Sequence, residues 1–403
     1  MSSNQTVLVQ VTGKDRPGIT AGIMALLADS EALVQDIEQV VIRGRLSLGL
    51  VVEVPQGRDL LKELLLFGWE QHVDIEFEIV ESQPTSRVPG QVITVLAVEL
   101  LPVQIGAVTA AIAATGTNID RIVRLSRYPV MSYEFAVSGG HPETLRAELV
   151  TVAEEHDLDI AVQDDGIRRR AKRLVVLDMD STLIQDEAVD LLAESMGCLD
   201  EVQAITAQAM AGEVDFEQSL RSRVGLLRGL AKSEVMRAAK AMRLTPGART
   251  FVRTLHRLGY RVAVVSGGFT QFTSLLAKEL ELDHHFANEL EIIDGTLTGK
   301  VLGTVVDRAA KAELLRNVAA LEGIPVFQTV AVGDGANDID MLAAAGLGIA
   351  FNAKQPVQDI ADTTISVPYL DAILYLLGVT REEIEAEDAA DGVETRRPTT
   401  SIP

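Results

Sequence analysis

The pattern of hydrophobic and polar positions divides the first 80 residues into short strands and helices. Residues 6–11, "TVLVQV", alternate as a half-buried strand does, whereas "TAGIMALLADS" (20–30) repeats its apolar residues at helical spacing. Two more strands, a helix and a last strand are predicted from "VQDIEQVVIRG" (34–44), "LSLGLVVEVP" (46–55), "DLLKELLLFGWEQ" (59–71) and "VDIEFEIVE" (73–81). We expect Trp69 on the apolar face of the second helix. The predicted order is βαββαβ, which is typical of ferredoxin-like domains.

The same order recurs after "SQPTSRVPGQ" (82–91), a loop rich in Pro, Ser and Gly. The predicted elements are "VITVLAVEL" (92–100), "QIGAVTAAIAATG" (104–116), "NIDRIVRLSR" (118–127), "MSYEFAVSG" (131–139), "PETLRAELVTVAEEH" (142–156) and "LDIAVQDD" (158–165). The segment "VTAAIAATGTNIDRI" mirrors "IMALLADSEALVQDI", since each leads from a helix into a strand. We therefore predict an internal repeat with a period of about 85 residues.

Two consecutive βαββαβ units resemble a tandem of ACT domains, which are small regulatory modules of amino-acid metabolism. We place the first domain at residues 1–82 and the second at 91–165. The loop "DRPGI" from Asp15 to Ile19 matches the ACT pattern, and the second copy has "LLPVQIGAV" in its place. The resemblance implies feedback by an amino acid, with L-serine as the candidate effector and Asp15 and Gly18 as candidate regulatory residues. It also implies a homo-oligomer, with a dimer favoured.

Strands alternate with helices from residue 174 to about residue 380, as in a parallel sheet flanked by helices. The predicted strands are "RLVVLD" (173–178), "RVAVVSGG" (261–268), "TVAVGDG" (329–335) and "LGIAF" (347–351). Each of the first three ends in a polar or glycine-rich turn. Because ligands of open α/β sheets bind at the carboxyl ends of the strands, we expect these three ends to converge on one site.

Aspartates follow two of these strands. Asp178 and Asp180 in "DMDST" lie at i and i+2, so both can face the same cleft where the strand ends. Asp334 and Asp338 follow another strand in "VGDGANDID". Neighbouring carboxylates repel one another unless a cation lies between them. Three or four converging carboxylates suit a hard cation such as Mg²⁺, and nothing in them suits zinc.

The remaining polar groups at the strand ends are suited to phosphate. "SGGF" (266–269) offers the hydroxyl of Ser266 and backbone N–H groups that no Cβ obstructs. Lys311 begins a helix that can bring an ammonium group to the same place. A carboxylate, Mg²⁺, a hydroxyl and a lysine together are typical of phosphoryl transfer. In that chemistry Asp178 can attack phosphorus, and Asp180 can protonate the leaving oxygen and later take a proton from water.

"DMDST", "SGG", Lys311 and "GDGANDIDM" resemble, in order and over about 160 residues, the four motifs of the haloacid dehalogenase superfamily of phosphotransferases. The resemblance implies a phosphatase domain at residues 172–380, built on a Rossmann-like parallel sheet with a helical cap at about 186–245. Within the superfamily, "DFEQSLRSRVGLLRG" (215–229) is similar to a signature of the phosphoserine phosphatases. That family hydrolyses O-phospho-L-serine with Mg²⁺, the last step of L-serine biosynthesis.

The resemblance also implies which residues bind the substrate. By the family's pattern, Glu187 contacts the amino group, Arg223 contacts the carboxylate, and Phe216 is a further substrate-binding residue. A zwitterion that carries a phosphate needs an anion for its ammonium group and a planar cation for its carboxylate. The two charged residues of the cap match that need.

The same resemblance assigns the metal and the phosphate. It implies that Mg²⁺ is held by Asp178, the main-chain carbonyl of Asp180 and Asp334, with Asp338 supporting this shell from outside. Phosphate is expected to bind to Ser266, Gly267 and Asn337, and the aspartyl-phosphate intermediate to be neutralised by Lys311.

Composition limits the classes of function. The net charge of −22 argues against nucleic acid as the main partner. The single cysteine, Cys198, excludes an intrachain disulfide and a cysteine-based metal site. The segment "MSSNQTVLVQVTGKDRPG" has no signal-peptide pattern, and no apolar run has membrane-spanning length. We expect a soluble cytoplasmic protein without a membrane partner.

Two charged segments are expected to be solvated. The basic run Arg168, Arg169, Arg170, Lys172 and Arg173 is interpreted as a linker helix on the surface, with a nucleic-acid patch as the alternative. Residues 381–403, "REEIEAEDAADGVETRRPTTSIP", are rich in acidic residues and poor in large apolar ones, so we predict a disordered tail.

Two alternative functions remain open at this point. One is a regulatory binding protein with a vestigial phosphatase site, against which the intact Asp178, Asp180, Lys311 and Asp334 argue. The other is a different small-molecule phosphatase or phosphotransferase of the same superfamily, with water or another alcohol as acceptor. A phosphosugar has no use for either Glu187 or Arg223, so this pair favours phosphoserine.

Overall fold

The computed structural model describes residues 5–55, 59–80, 90–210 and 213–394. The chain divides into two compact units, residues 1–87 and residues 88–403. In the described segments, every helix is too short or too polar to cross a membrane.

The first unit is a four-stranded antiparallel sheet with two helices. Its elements are β1 (Gln5–Lys14), α1 (Ile19–Asp29), β2 (Leu33–Ile42), β3 (Arg45–Val54), α2 (Leu60–Gln71) and β4 (Val73–Ile79). The strands lie in the order β2-β3-β1-β4. Alternate residues of β1, namely Val7, Val9 and Val11, are buried and share one core with Ile23 of α1 and Leu64 of α2. The predicted βαββαβ unit is confirmed.

The second unit begins with another βαββαβ module. Its elements are β5 (Gln91–Ala97), α3 (Pro102–Ala114), β6 (Thr117–Ser126), β7 (Met131–Gly139), α4 (Pro142–His156) and β8 (Asp159–Asp164). The strand order β6-β7-β5-β8 repeats the arrangement of the first unit. The module has its own core, to which Ile93, Val95 and Phe135 of the sheet and Ile112 and Leu149 of the helices contribute. The internal repeat predicted from the sequence is therefore present.

A seven-stranded sheet forms the centre of the second unit. Its elements are α5 (Ile167–Arg170), β9 (Leu174–Leu177), α6 (Ala188–Met196), α7 (Leu199–Met210), α8 (Phe216–Leu226), α9 (Lys232–Ala241), α10 (Ala248–Arg257), β10 (Arg261–Phe269), α11 (Thr270–Leu280), β11 (His284–Ile293), β12 (Thr296–Leu302), α12 (Arg308–Leu321), β13 (Thr329–Gly333), α13 (Ile339–Ala344), β14 (Gly348–Phe351), α14 (Gln355–Gln358), β15 (Thr363–Ile365), α15 (Ile373–Leu376) and α16 (Arg381–Ala390). The strand order is β12-β11-β10-β9-β13-β14-β15, and β12 alone in this sheet is antiparallel to its neighbour.

The central strand β9 is buried on both faces, which is why its sequence is uniformly apolar. Leu174 and Val176 belong to the core on one side of the sheet, whereas Val175 and Leu177 belong to the core on the other side. Strand β9 pairs with β10 on one side and with β13 on the other. Strands β10 to β12 therefore lie on one side of β9, and strands β13 to β15 lie on the other side. Open α/β sheets bind their ligands at such a switch point in strand order.

Helices α6 to α9 lie between β9 and α10 and form the region that we call the cap (residues 186–245). Its two connections to the sheet run side by side. Ile184 forms an isolated antiparallel bridge with Leu244, and the N–H of Thr245 donates to the carbonyl oxygen of Leu183 at 3.0 Å. The cap also contacts the edge strand β12, where the N–H of Gly229 donates to the carbonyl oxygen of Leu297 at 2.8 Å and Ala231 forms an isolated bridge with Thr296.

The carboxyl-terminal segment differs from its prediction. Helix α16 is present where disorder was predicted, and Asp388 in it is fully buried. The carboxylate of Asp388 lies 2.7 Å from both Arg253 and Arg257, and Arg381 contacts Asp371 at 3.1 Å. These ion pairs offset the cost of burying the charged side chains of α16. The prediction of disorder is therefore wrong for residues 381–390. Residues 395–403 lie outside the described residues.

Three further surface expectations need correction. The basic run contains the expected short helix α5, but Arg169 is buried against Glu134 with 2.6 Å between their charged atoms. Lys172 is also buried, and its ammonium group donates to the carbonyl oxygens of Phe327 and Gly346. Neither residue is solvated. Trp69, expected on the buried face of α2, is 78% exposed.

Candidate active site

The carboxyl ends of β9, β10 and β13 converge, as the sequence predicts. Asp178 follows β9, and its N–H donates to the carbonyl oxygen of Val332 in β13 at 2.9 Å. Ser266 lies in β10, and its hydroxyl is 3.4 Å from Asp180 Oδ2. Asp334 follows β13 and accepts a 2.8 Å hydrogen bond from the hydroxyl of Thr182. One site therefore collects side chains from three adjacent strand ends.

The backbone after β9 aims both aspartates at this site. Asp178 and Asp180 have extended backbone angles, and Met179 between them is fully buried in the core. Alternation therefore places the two carboxylates on the same side. Ser181 then adopts a left-handed conformation with φ 54°, and the chain turns so that the N–H of Ile184 donates to the carbonyl oxygen of Met179 at 2.9 Å. Left-handed non-glycine residues are strained and cluster at functional sites.

Lys311 lies at the centre of the buried charges. Its ammonium nitrogen is 2.8 Å from Asp178 Oδ1 and 2.7 Å from Asp338 Oδ1, and the lysine is fully buried. Burial disfavours its charge, but attraction from Asp178 and Asp338 outweighs burial and raises the pKa of Lys311. The lysine therefore stays protonated and presents a fixed positive charge to the site.

The carboxylates raise one another's proton affinity. Burial, followed by repulsion from Asp338, raises the pKa of Asp178 well above its usual range, although Lys311 opposes this. Burial and repulsion from Asp338 also raise the pKa of Asp334 to about 7. The single positive charge of Lys311 thus does not balance the negative charges of the carboxylates around it. A further cation would relieve the repulsion between these carboxylates.

The donor set fits a hard divalent cation. Oxygen atoms of Asp178, Asp334 and Asp338 lie within 4.8 Å of one another in the part of the chain that the structure describes. Carboxylate oxygens are the ligands that Mg²⁺ prefers, usually with several waters retained. The residues present therefore fit Mg²⁺.

Asp180 differs from the other carboxylates in its surroundings. Burial, followed by repulsion from Glu187, raises the pKa of Asp180 to about 8. Its Oδ1 accepts a 2.8 Å hydrogen bond from the N–H of Ala188, at the start of α6. Its Oδ2 faces Ser266. Asp180 therefore holds a proton at neutral pH more readily than an exposed aspartate does, and it links the loop after β9 to the cap.

Glycines at the end of β10 let other groups approach the loop. A Cβ on Gly268 would lie 2.8 Å from Asp180 Oδ2, so a side chain there would displace the aspartate. A Cβ on Gly267 would lie 3.0 Å from Cζ of Phe216, which comes from the cap. Phe216 therefore packs directly over the phosphate-binding segment predicted from "SGG". The Gly268 N–H donates to Ser266 Oγ at 2.8 Å.

The cap contributes a negative and a positive side chain. Glu187 accepts a 2.8 Å hydrogen bond from the hydroxyl of Ser181, next to Asp180. Its side chain reaches solvent through the cleft, yet the surrounding protein atoms raise its pKa, while Ser181 and Arg223 oppose this. Arg223 is half-buried in α8 and lies 3.4 Å from both the carbonyl oxygen of Ser219 and the hydroxyl of Thr206.

Asn337 lies in a short 3-10 helix, Ala336–Asp338, that follows β13. The N–H of Gly335 donates to Asp338 Oδ2 at 3.0 Å, and a Cβ on Gly335 would lie 2.2 Å from Asn337 Oδ1. Asn337 is half-buried beside the carboxylates. The two regulatory candidates, Asp15 and Gly18, belong to the first unit instead, where Gly18 precedes α1 with φ 99°.

Comparison with known proteins identifies the family. A family model described as haloacid dehalogenase-like hydrolase matches residues 175–343, and two ACT-domain models match residues 5–78 and 90–163. The chain is 54% identical over 397 residues to a phosphoserine phosphatase of Streptomyces coelicolor, with 96% of this chain and 97% of that protein covered. It is 48% identical over 398 residues to a phosphoserine phosphatase of Mycobacterium tuberculosis, with 97% of each covered. The chain belongs to the phosphoserine phosphatases.

A solved structure agrees with this assignment. The unliganded probable phosphoserine phosphatase from Vibrio cholerae is 34% identical to this chain, with a TM-score of 0.59 and coverage of 77% of this chain and 91% of that chain. As a phosphoserine phosphatase with two ACT domains, the chain has the fold class and the enzyme class that its motifs predict. Of the predicted site residues, Asp178, Asp180, Ser266, Gly267, Asp334, Asn337 and Asp338 lie at the ends of β9, β10 and β13, Lys311 contacts Asp178 and Asp338 from α12, and Glu187, Phe216 and Arg223 belong to the cap.

Sequence reasoning missed three residues that support the site of this phosphoserine phosphatase. Thr182 donates to Asp334 at 2.8 Å, and its carbonyl oxygen accepts a 2.7 Å hydrogen bond from the hydroxyl of Thr245, at the end of the cap. Asn288 in β11 is buried beside Gly267. Thr182 could have been identified from the sequence because it belongs to the motif "DMDST". Thr245 and Asn288 carry no such signal, since their partners are distant in sequence.

Proposed function

We propose that the chain hydrolyses O-phospho-L-serine to L-serine and phosphate through an aspartyl-phosphate on Asp178, as the last step of L-serine biosynthesis. The observation that carries the proposal is the pair of opposite charges, Glu187 and Arg223, on the cap beside Asp180. Glu187 repels the carboxylate of Asp180 and attracts Arg223, so the three groups act on one another across the cleft. A zwitterionic alcohol attached to phosphate needs this combination.

Asp178 is the proposed nucleophile. Its Oδ1 accepts from the N–H of Met179 at 2.7 Å and contacts Lys311, so we assign the attack on phosphorus to Oδ2. Lys311 holds the carboxylate in one orientation and neutralises the negative charge that develops on the phosphoryl oxygens. Ser266, Gly267 and Asn337 are proposed to bind those oxygens. Buried, fixed dipoles stabilise such a charge because they need no reorganisation during the reaction.

Asp180 is the proposed general acid and base. Because its pKa is raised to about 8, it carries a proton at neutral pH and can donate it to the leaving serine oxygen. The ionised Asp180 then takes a proton from water as the water attacks the aspartyl-phosphate. The hydrogen bond from Ala188 holds its Oδ1, which leaves Oδ2 to face the reacting atoms beside Ser266.

The proposed cofactor is Mg²⁺, held by Asp178, the main-chain carbonyl of Asp180, and Asp334. When bound, it supplies positive charge that offsets the repulsion between the carboxylates and the phosphate. Asp338 already accepts hydrogen bonds from Lys311 and from the N–H of Gly335, so we propose that it supports the metal ligands from outside. Removal of divalent cations with a chelator is expected to abolish turnover, and added Mg²⁺ to restore it.

The function is tested by turnover of four phosphate monoesters. O-phospho-L-serine carries both charged groups, O-phosphoethanolamine lacks the carboxylate, 3-phosphonooxypropanoate lacks the amino group, and a phosphosugar lacks both. We expect kcat/KM to be highest for phosphoserine and to fall with each missing group. Equal rates on the phosphosugar would overturn the substrate assignment. Restored growth of a serine auxotroph that lacks its own phosphoserine phosphatase would test the place in biosynthesis.

We further propose that the first ACT domain binds an amino acid, with L-serine as the candidate, and thereby lowers activity. The proposed site is the loop from Lys14 to Ile19, with Asp15 and Gly18 at its centre. Gly18 precedes α1 without a side-chain hydrogen bond to the helix N-terminus, and no acidic residue lies in the first turn. Helix N-termini attract carboxylates through their N–H groups and dipole. A neighbouring subunit of a homodimer is proposed to complete the site.

The regulatory proposal is tested by titrating L-serine against the whole chain and against a chain that starts at residue 88, which lacks the first compact unit. We expect the shorter chain to need a much higher serine concentration for the same loss of activity, since only competition at the catalytic site remains. Asp15→Ala in the whole chain is expected to shift the titration in the same direction. Identical titrations of the whole and the shortened chain would show product inhibition alone.

A further inference from the structure

Asn288 lies in the core of the sheet and holds the phosphate-binding segment from behind. Its side chain is 1% exposed. The amide nitrogen donates to the carbonyl oxygen of Gly267 at 2.8 Å, and the amide oxygen accepts from the N–H of Val306 at 2.8 Å. The donor partner and the acceptor partner are both main-chain groups, so the orientation of the amide is fixed. Only a side chain that places a hydrogen-bond donor at the carbonyl of Gly267 and an acceptor at the N–H of Val306 satisfies both main-chain groups.

The hydrogen bond to the carbonyl oxygen of Gly267 also orients the N–H of Gly268, which belongs to the same peptide group. In a planar trans peptide the carbonyl group and the following N–H point in opposite directions. Fixing the carbonyl of Gly267 on the Asn288 side therefore directs the N–H of Gly268 to the other side, where it donates to Ser266 Oγ at 2.8 Å. Since this hydroxyl oxygen accepts from Gly268, its own proton remains available to another acceptor on the side of the site where Asp180 Oδ2 lies, 3.4 Å away.

The hydrogen bond from Val306 connects the same amide to the segment that presents Lys311. Val306 precedes Asp307, the N-cap residue of α12, and the carboxylate of Asp307 accepts from the N–H of Ala310 at 2.8 Å. The N–H of Lys311 donates to the carbonyl oxygen of Asp307 at 3.0 Å. Asn288 thus joins the proposed phosphate-binding segment at the end of β10 to the start of the helix that carries the buried lysine.

We propose that Asn288 is a positioning residue for phosphoryl transfer, which sets the orientation of the Gly267–Gly268 peptide and of the Ser266 hydroxyl. The inference rests on the proposed role of Ser266 and Gly267 in phosphate binding. Asn288 does not touch the substrate and acts through these two residues. Substitution of Asn288 is therefore expected to weaken binding of the phosphoryl group and to leave recognition of the serine moiety by Glu187 and Arg223 unchanged.

Two variants separate the parts of the amide. Asn288→Leu removes the donor and the acceptor at similar volume. Asn288→Asp keeps the acceptor for Val306 and loses the donor to Gly267 at neutral pH, but regains an O–H donor when the introduced carboxyl group is protonated. The matched control is Thr329→Val. Thr329 is fully buried at the amino end of β13, and its hydroxyl also makes two main-chain hydrogen bonds, with Val326 and Gly346.

Binding of inorganic phosphate is measured by calorimetry in the presence of Mg²⁺, and kcat/KM is measured for phosphoserine and for O-phosphoethanolamine. We expect both Asn288 variants to lose about 10- to 100-fold in phosphate affinity and in kcat/KM, the range that loss of a residue supporting the binding groups from outside typically costs. The preference for phosphoserine over O-phosphoethanolamine is expected to stay that of the parent chain. The Thr329→Val variant is expected to keep the parent values.

The Asn288→Asp variant carries a pH signature that a purely structural role would not give. Relative to the parent chain, its activity is expected to rise as the pH is lowered, since the protonated carboxyl group restores the donor to Gly267. The proposal is overturned if the folded Asn288→Asp variant binds phosphate as tightly as Thr329→Val does. It is also overturned if substrate preference falls along with phosphate affinity. Phosphate binding tests the proposal even if the parent chain prefers a substrate other than phosphoserine.

Discussion

Lys311 and Asp178 form a fully buried ion pair, with 2.8 Å between the ammonium nitrogen and Asp178 Oδ1. Burial and repulsion from Asp338 raise the pKa of Asp178, and the positive charge of Lys311 opposes both. A nucleophile must be ionised to attack phosphorus, so the contact with Lys311 favours the reactive form of the proposed nucleophile Asp178. Substitution of either residue is therefore expected to affect catalysis and stability to different extents.

Asp178→Asn is expected to abolish turnover while the chain stays folded, because an amide is too poor a nucleophile to attack phosphorus. Phosphate release measures the loss, and far-ultraviolet circular dichroism checks the fold. In the parent chain, acid quenching during turnover followed by mass spectrometry is expected to place the phosphoryl group on Asp178. A label on Ser181 or Ser266 would contradict the assignment.

Lys311→Met is expected to abolish turnover and also to lower the free energy of unfolding by about 3–5 kcal/mol in the absence of divalent cations. The reason is that Asp178 and Asp338 would be left buried without their cation. Denaturant unfolding measures the change. The control is Arg308→Met in the same helix, where an exposed ion pair with Asp340 is expected to contribute at most about 1 kcal/mol. Equal losses in the two variants would show that the buried pairs are not stabilising.

The aspartates of the candidate site could be located from the sequence because each lies within a few positions of the end of an apolar strand. Asp178 follows "LVVL" directly, and Asp334 follows "TVAVG", so the strand pattern alone places them at one edge of the sheet. Asn288 could not be found in this way. Its role depends on the pairing of β11 with β10 and on the position of Val306, and neither relation is encoded nearby in the sequence.

The errors in the fold have a common physical origin. Charged composition predicted solvation for residues 381–390 and for the basic run, but Asp388 and Arg169 find partners in other elements, and such pairs compensate the charge on burial. In α2, Leu61, Leu65 and Trp69 repeat at helical spacing on the exposed face. Because the apolar residues of this helix lie on more than one of its faces, the hydrophobic pattern alone does not show which face is buried.

Arg223→Ala is expected to raise the KM for phosphoserine at least about tenfold more than the KM for O-phosphoethanolamine, which has no carboxylate. A buried charged pairing is worth on the order of 2–5 kcal/mol when one partner is truncated. The control is Arg221→Ala, two positions earlier in α8, where an exposed arginine pairs with Glu217 outside the cleft. Equal losses on both substrates would show that Arg223 acts on the phosphate or on the cap.

Asp388→Ala is expected to lower the free energy of unfolding of the second unit by about 3 kcal/mol or more, because Arg253 and Arg257 would lose their shared buried partner. The variant is compared by urea unfolding with Glu387→Ala, an exposed neighbour in α16. If the two variants unfold at the same urea concentration, α16 contributes little to the stability of the unit.

Asp159 is expected to make the stability of the second unit fall as the pH rises from about 4 to 6. Burial raises its pKa from 3.8 to about 6, although the N–H of Ser366 donates to its Oδ2 at 2.8 Å. Between these two values the folded chain keeps the proton that the unfolded chain releases, so folding loses about 2–3 kcal/mol across this range and nothing further above it.

Asp159→Asn resembles the protonated acid at every pH, so it is expected to remove this slope and to be more stable than the parent chain at pH 7. The measurement is urea unfolding of both chains at several pH values between 4 and 7, since subtraction cancels the titration of other groups. Asp164→Asn is the matched control, because Asp164 is an exposed aspartate at the other end of the same strand, β8. A parent chain that is as stable as Asp159→Asn at pH 7 would contradict the prediction.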